Sequence, residues 1–166
     1  MNENYIISNP EIMMGKPIIA GTRITVELIL EKLKAGESIS QIKNSYPLLS
    51  EDEIRSTLHW ELKIILNEVK KELKELYTDD LVDIILYGSY ARGDYNENSD
   101  IDLLVVLKNT QSIGKEIDRI VDAIYDINLK YNTLISIVPI TYKDYKNIKS
   151  PLLLNVRQEG VLVRSL

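Results

Sequence analysis

Hydrophobic and polar residues follow two different patterns along this chain, and the change comes near residue 80. Residues 5–24 contain two short apolar runs separated by glycines, which predict short extended segments. Apolar residues at helical spacing then predict three helices before residue 80. Beyond it, nearly continuous apolar runs predict buried strands with helices between them. We therefore expect an α+β or α/β protein with a mostly helical first part.

Each of the three N-terminal helices has a recognisable start. Thr25 is a capping residue for the first helix, which Gly36 ends. Ser38 and Ser50 precede the second and third helices, and each has Gln or Glu three residues later, the pattern of a capping box. Pro47 predicts the end of the second helix. Together these signals predict a small helical domain, helix-turn-helix-like, with a short β element.

The third helix has no stop signal until about residue 78. Apolar residues recur at spacings of three and four from Leu58 to Leu76, which predicts one helix over about residues 51–77. We interpret it as a helix shared by two domains, residues 1–60 and residues 61–166. Two helices broken near Trp60 are the alternative.

The second domain is predicted to contain a mixed sheet flanked by helices. Its second strand should be central, because both faces of that strand are apolar. In chain order the elements are a strand at 81–87, a strand at 100–107, a helix around 117–131, a strand at 133–140 closed by Pro139, a helix at 151–159 and a strand at 161–163.

Composition narrows the classes of function. The 166 residues include no cysteine and one histidine, which excludes disulfides, thiol catalysis and Cys- or His-rich zinc sites. There is no apolar run long enough to span a membrane and no secretory pattern at the N-terminus, so we expect a cytoplasmic protein without a membrane partner. The net charge of -5 argues against strong electrostatic binding to nucleic acid.

The candidate chemistry is concentrated in residues 86–107. Gly88 and Ser89 follow a buried strand, where backbone N–H groups and a hydroxyl can hold an anion such as a phosphate. Asp100 and Asp102 stand two residues apart at the start of the next strand, so both carboxylates point to the same side. Two adjacent acids repel each other unless a cation lies between them, and Mg²⁺ accepts one or two carboxylates together with substrate phosphates. The combination predicts phosphoryl or nucleotidyl transfer.

Each half of this motif has an ordinary explanation when it stands alone. A Gly-Ser pair is most often a turn, and an Asp-x-Asp pair is most often solvated charge at the edge of a strand. Both together, after one apolar strand and at the start of another, are far more specific and favour a functional site.

The run LYGSYARGDYNENSDIDLLVVL resembles the signature of the polymerase-β-like nucleotidyltransferases, in particular the minimal nucleotidyltransferases. The resemblance implies the nucleotidyltransferase fold and an enzyme that uses Mg²⁺ or Mn²⁺ and ATP. It implies that Gly88 and Ser89 hold the nucleotide phosphates, and that Asp100 and Asp102 are the catalytic metal ligands. Arg92 matches the family's arginine at the helix start, where it would either contact phosphates or brace the loop.

Many active members of that family have a third carboxylate on a following strand. In this chain the inward position of that strand is Ser136, and serine cannot replace an anionic metal ligand. Asp126 on the preceding helix is expected to face solvent, although a different alignment would bring it in. The comparison therefore implies Mg–nucleotide binding with slow transfer.

The segment GKPIIAGTRI resembles a widespread family of small domains of unknown function that has been likened to VapB-type antitoxins. Minimal nucleotidyltransferases are antitoxins paired with HEPN-family toxins, so the resemblance implies AMP transfer to a hydroxyl of a small helical toxin. A binding module that neutralises the toxin by contact is one alternative. A DNA-binding autoregulator acting through residues 1–60 is another alternative. The sequence leaves open whether the chain forms a homo-oligomer.

The negative charge at the start of the third helix argues against the DNA-binding alternative. In a helix-turn-helix the first residues of the second helix face the DNA, and here they are Glu51, Asp52 and Glu53. These carboxylates would repel phosphates, whereas they suit the N-terminal end of a helix dipole. We therefore expect a stabilising or dimerising module here and no autonomous DNA binding.

Overall fold

The protein is described by a computed structural model at residues 5–96, 98–110 and 112–165. The chain divides into two compact units, Met1–Lys63 and Ile64–Leu166. The boundary falls within a single helix. No helix in the described part of the chain is both long enough and apolar enough to cross a membrane.

The first unit combines a small sheet with helices. Strands β1 and β2 pair antiparallel, with Ile6 opposite Ile19. Three helices follow, and the third continues into the second unit. The bounds are β1 Ile6–Ile7, β2 Ile18–Ile19, α1 Val26–Lys34, α2 Ile39–Ser45 and α3 Glu51–Tyr77.

The predicted helix caps of the first unit are confirmed. The Thr25 hydroxyl accepts a hydrogen bond from the N–H of Leu28 at the start of α1. Ser38 and Gln41 form the capping box of α2. At α3 the Ser50 N–H donates to the Glu53 carboxylate, and the Glu53 N–H donates to the Ser50 hydroxyl. These contacts satisfy N–H groups that a helix start would otherwise leave unpaired.

Helix α3 is continuous over 27 residues, so the alternative of a break near Trp60 is wrong. It ends at Tyr77, because the next residue, Thr78, has a positive φ of 47° that takes the backbone out of the helical region. One apolar face is buried along the helix, which explains its regular spacing of three and four. The buried apolar residues of α3 are Ile54, Leu58, Leu62, Ile65, Leu66, Val69, Leu73 and Tyr77.

The second unit is built on a mixed four-stranded sheet, which confirms the predicted mixed sheet flanked by helices. Strand order is β5-β4-β3-β6, with β4 and β5 parallel and the other pairs antiparallel. Strand β4 is interior, as its two apolar faces predict. The strands are β3 Leu81–Tyr87, β4 Ile101–Leu107, β5 Ile135–Thr141 and β6 Val161–Leu162.

Besides the end of α3, the described residues of the second unit form four α-helices: α4 Gly88–Arg92, α5 Ile113–Tyr131, α6 Tyr142–Asn147 and α7 Pro151–Glu159. Sequence reasoning missed α6, because its residues are polar and only the Thr141 cap marks its start. The strand predicted over 133–140 is observed as β5, which continues to Thr141, so Pro139 lies within the strand and does not close it. Strand β5 lies at the edge of the sheet, where a residue without an N–H is tolerated.

One face of the sheet packs against α7. Side chains from β3, β4 and α7 form a buried cluster there: Ile85, Leu104, Val106, Leu153 and Val156. Because side chains alternate along a strand, Asp102 points to the same face as Leu104. The acidic pair therefore lies where this packed face ends, at the start of β4.

We expect no specific DNA binding by the first unit. Glu51 and Asp52 are exposed at the start of α3, where they would repel phosphates. A mobility-shift assay with the gene's own upstream region checks this at moderate salt. Specific nanomolar binding that survives about 150 mM salt would contradict the prediction, since non-specific binding fades there.

Candidate active site

The predicted phosphate turn lies at the junction of β3 and α4. Gly88 has a positive φ of 72°, a conformation that glycine adopts without strain. Helix α4 is short and closes at Gly93, whose N–H donates to the carbonyl of Ser89 at 2.9 Å. The N–H of Asp94 donates to the same carbonyl at 3.2 Å. Ser89, half-buried, thus belongs to a tight turn directly after a buried strand.

The two predicted metal-binding acids lie at the start of β4, beside the end of β3. Asp102 pairs with Tyr87 in the antiparallel ladder, and exposed Asp100 immediately precedes the strand. Burial of Asp102 raises the pKa of its carboxyl, and the negative charge of Asp100 raises that pKa further. The two carboxylates therefore interact, and a bound cation would relieve the energy that their shared charge costs.

The turn lies directly against one of the two acids, Asp102. A Cβ built on Gly88 would overlap the carboxylate of Asp102, lying against its Oδ2 and 3.2 Å from its Cγ. Only a glycine lets the backbone of the turn approach this carboxylate so closely. The structure therefore brings Gly88, Asp100 and Asp102 together across a loop that separates them in sequence.

Arg92 lies at the end of α4 and makes two ion pairs. Its Nε lies 3.2 Å from Asp94, and its Nη1 lies 3.6 Å from Glu159 at the end of α7. Its positive charge lowers the pKa of Asp102, in opposition to burial and Asp100. Of the two roles weighed for Arg92, bracing the loop is the one with contacts in the structure. Phosphate contact stays a prediction.

Ser136 lies next to Asp102 in the parallel ladder between β4 and β5. Side chains in register on adjacent strands share one face, so the exposed Ser136 borders the acidic pair. Asp126 is exposed on α5, as expected. Within the described residues, no group of three His, Cys, Asp or Glu side chains is arranged to hold a metal, so Asp126 does not join the pair.

The donor set at this site fits Mg²⁺ in the form that the ion commonly takes in nucleotide enzymes. Mg²⁺ is held there by one or two carboxylates, and substrate phosphates and water complete its six oxygen ligands. Asp100 and Asp102 supply the carboxylates, and the turn at Gly88 is close enough to bring phosphate to them.

Sequence reasoning missed several residues that shape this site. Tyr90 on α4 stacks on Tyr95, with ring centroids 4.3 Å apart, and Tyr95 is buried in the loop before Asp100. Tyr87, opposite Asp102, packs against the α7 cluster. The aromatic Tyr95 within a polar loop was a weak signal for burial. The sequence contained no signal for the contact of Glu159 with Arg92, because the two residues are far apart along the chain.

Comparison with known proteins decides the family. The family model described as nucleotidyltransferase domain matches residues 66–156, more than half of the chain. The chain belongs to the nucleotidyltransferase family. A second family model, described as a protein of unknown function (DUF433), matches residues 6–60. The chain is thus a nucleotidyltransferase whose N-terminal segment is similar to the DUF433 family.

Named relatives match part of the chain. A Methanocaldococcus jannaschii protein named "Putative protein adenylyltransferase" is 42% identical over 99 residues, covering 60% of this chain and 95% of the relative. Protein adenylyltransferase MntA of Thermococcus cleftensis is 40% identical over 58 residues, covering 35% of this chain and 57% of the relative. A crystal structure of a toxin–antitoxin with AMP-PNP has 23% identity and a TM-score of 0.45, covering 59% of this chain and 71% of that one.

The serine of the nucleotidyltransferase turn gives a direct test of phosphate binding. Ser89→Ala should weaken ATP binding by about 1–2 kcal/mol, the scale for a lost hydrogen bond to a charged group. Ser89→Glu should abolish binding, because it places an anion where the phosphate is expected. Calorimetry with Mn–ATP measures both. Unchanged affinity in Ser89→Glu would show that the phosphates bind elsewhere.

Two glycines of the same loop form a matched pair of variants. Gly88 and Gly93 both have positive φ, but only at Gly88 would a Cβ meet other atoms. Gly88→Ala should lower Mn–ATP affinity by about tenfold or more, or about 1.4 kcal/mol, because it displaces the Asp102 carboxylate. Gly93→Ala carries similar backbone strain and should retain most of the affinity. Equal losses in both variants would mean that strain, and not the contact with Asp102, sets the effect.

Proposed function

We propose that this nucleotidyltransferase transfers AMP from ATP to a hydroxyl of a partner protein. The observation that carries the proposal is the contact of Gly88 with the Asp102 carboxylate, which has Asp100 beside it. A turn suited to phosphate and a pair of acids suited to Mg²⁺ are what nucleotidyl transfer requires. Relatives named as protein adenylyltransferases support AMP as the transferred group and a protein as the acceptor.

Each side chain has a role in this proposal. Asp100 and Asp102 would hold Mg²⁺, which when bound neutralises phosphate charge and lowers the pKa of a bound hydroxyl. Gly88 and Ser89 hold the phosphates of ATP through backbone N–H groups and the Ser89 hydroxyl. The acceptor oxygen forms a bond to the α-phosphorus, the bond from that phosphorus to pyrophosphate breaks, and the acceptor proton is released.

A small helical toxin of the HEPN type is the acceptor that we propose. This partner follows from the resemblance of the 86–107 motif to minimal nucleotidyltransferases, whose activity silences paired toxins. A tyrosine hydroxyl of that toxin would receive AMP. ATP as donor agrees with the cytoplasmic location predicted from composition.

Incubation of the protein with labelled ATP, Mg²⁺ and the product of the neighbouring gene tests the proposal. We expect label on the partner and adenylyl modification of a hydroxyl residue in its mass spectrum. Label that stays absent while the two proteins form a complex would overturn the transfer reaction.

A second candidate function is neutralisation by contact alone. The register of Ser136 beside Asp102 favours it, because the position next to the acidic pair carries no third carboxylate. The protein would then bind Mg–ATP and the toxin but transfer AMP slowly. The same incubation separates the two functions, since neutralisation would not require hydrolysable ATP.

A further inference from the structure

Helix α5 carries a row of exposed apolar side chains at every fourth position. We call this row the α5 stripe. Its exposed fractions lie between 38% and 62%, so these side chains are only partly covered. The members are Ile113, Ile117, Val121, Tyr125 and Leu129.

The α5 stripe is separate from the face that α5 buries. The buried residues of the helix are Ile120, Ile124 and Ile127. A spacing of four residues rotates by about 40° per step around a helix, so the stripe turns progressively away from the buried face. From Ile117 onward the exposed fraction rises accordingly, from 38% to 62% at Leu129. Sequence patterning merged the two rows into one, but the core uses only one of them.

Acidic side chains run along one side of the stripe. Asp118, Asp122 and Asp126 are exposed, and each lies three residues before a member of the stripe. None of the three makes an ion pair with another described residue. Their charges are therefore available to a partner.

The basic residues of α5 do not cancel this row. Arg119 pairs with Glu116 at 3.0 Å, and Lys130 pairs with Glu68 at 2.6 Å. Lys115 lies in the first turn on the same side as the acidic row, three residues before Asp118, so one basic residue precedes three acidic ones. The stripe is thus apolar with an acidic margin over about 24 Å of helix.

The stripe ends at the edge of the sheet that carries the candidate active site. Asn128 near the end of α5 accepts a hydrogen bond from the N–H of Ile135 at 3.1 Å. Leu134, exposed by 57%, accepts one through its carbonyl from the N–H of Ile101 at 2.9 Å. Ile101 lies between Asp100 and Asp102. These hydrogen bonds connect the loop after α5 to the strand residue between the two acids.

We infer that the α5 stripe binds a helix of the acceptor protein, one whose apolar side chains are flanked by lysine or arginine. The choice of a basic partner follows from charge complementarity with the acidic row. A second copy of the chain in antiparallel pairing does not fit, because a two-fold axis perpendicular to the two α5 helices places the two acidic rows together. That the bound helix belongs to the acceptor rests on the proposed AMP transfer; the surface itself does not.

A synthetic helical peptide serves as the probe. It carries leucine at every fourth position with lysine beside each leucine, and a second peptide has glutamate in place of lysine. Fluorescence anisotropy with the full chain should show binding of the lysine peptide only. Tyr125→Lys/Leu129→Lys should weaken that binding by about tenfold or more, because two apolar anchors are lost. Asp118→Lys/Asp122→Lys/Asp126→Lys should reverse the preference and bind the glutamate peptide.

Matched controls make the result decisive. Met14→Lys/Leu48→Lys alters two highly exposed apolar residues of the first unit and should leave peptide binding unchanged. Mn–ATP affinity should be unchanged in the stripe variants, which verifies their fold. Equal binding of both peptides, or binding that survives Tyr125→Lys/Leu129→Lys, overturns the inference. So does a wild-type dimer in sedimentation that the same variant converts to a monomer.

The experiment distinguishes a failure of the AMP-transfer proposal from a failure of the α5-stripe proposal. Asp100→Ala/Asp102→Ala should bind the lysine peptide as the wild type does, because the stripe does not use the acidic pair. Absence of AMP transfer by the wild type, with intact binding of the lysine peptide, would reject the transfer reaction and leave the inferred docking surface unaffected.

Discussion

Asp100→Ala/Asp102→Ala is expected to abolish Mn–ATP binding and AMP transfer together. The two carboxylates are the anionic groups beside the turn at Gly88, and phosphate oxygens alone hold a divalent ion weakly at a protein surface. Wild type should bind Mn²⁺ more tightly with ATP than without it, because the phosphates complete the coordination of the ion. Calorimetry with Mn²⁺, ATP and both together measures these differences. Binding of Mn–ATP by the double variant as tight as by wild type would mean that the metal site is assigned wrongly.

The variant Asp102→Asn adds a readout that does not depend on catalysis. The pKa of Asp102 is raised in the folded protein, so its ionised form costs folding free energy above that pKa, including at neutral pH. Removing the charge should raise the melting temperature of the protein without nucleotide. Mn–ATP should raise the melting temperature of wild type by mass action but not that of Asp102→Asn. A lower melting temperature in Asp102→Asn would show that the charge does not strain the site.

Ser136→Asp is expected to raise AMP transfer by about tenfold, which corresponds to about 1.4 kcal/mol in the barrier. Asp100 and Asp102 supply two negative charges to the site. Two divalent metal ions would bring four positive charges to it. ATP phosphates would neutralise the ion that arrives with the nucleotide. The ion that would activate the acceptor hydroxyl has fewer negatively charged ligands. Ser136 lies in register with Asp102, so a carboxylate there borders the same ions. Rates of label transfer to the neighbouring gene product measure the effect.

Ser136→Asn is the matched control, since it has the size of aspartate without the charge and should leave transfer slow. A third carboxylate could instead repel Asp100 and Asp102 if it finds no ion. Fast transfer by wild type together with a decrease in Ser136→Asp would place the third ligand elsewhere. Asp126 was the first alternative from the sequence, but it is exposed and does not join the acidic pair, so the acceptor protein would be the place to look.

Local features of this protein were set by short stretches of sequence. The capping boxes at Ser38 and Ser50 specify where helices start, because they join a side chain to backbone N–H groups three residues away. The long helix α3 could also be predicted from sequence, because its apolar residues recur at the helical spacing of three and four. The site residues Gly88, Ser89, Asp100 and Asp102 could also be chosen from sequence, since both halves of the motif adjoin apolar strands.

Other features were decided by residues that only the folded sheet brings together. The pairing of β4 with β5 places Ser136 beside Asp102, and strand register depends on contacts that sequence separation conceals. The same is true of the close contact between Gly88 and Asp102, and of the ion pair between Arg92 and Glu159.

The two apolar rows of α5 show the limit most clearly. Spacing alone predicts that Ile117, Ile120, Val121 and Ile124 belong to a helix, and it is correct. It does not reveal that Ile120 and Ile124 are buried while Ile117 and Val121 remain exposed. Burial depends on which side of the helix the sheet covers, and the sheet can cover only one. The sequence by itself therefore determined the helix and the acids, whereas the tertiary structure decided which apolar face is left for a partner.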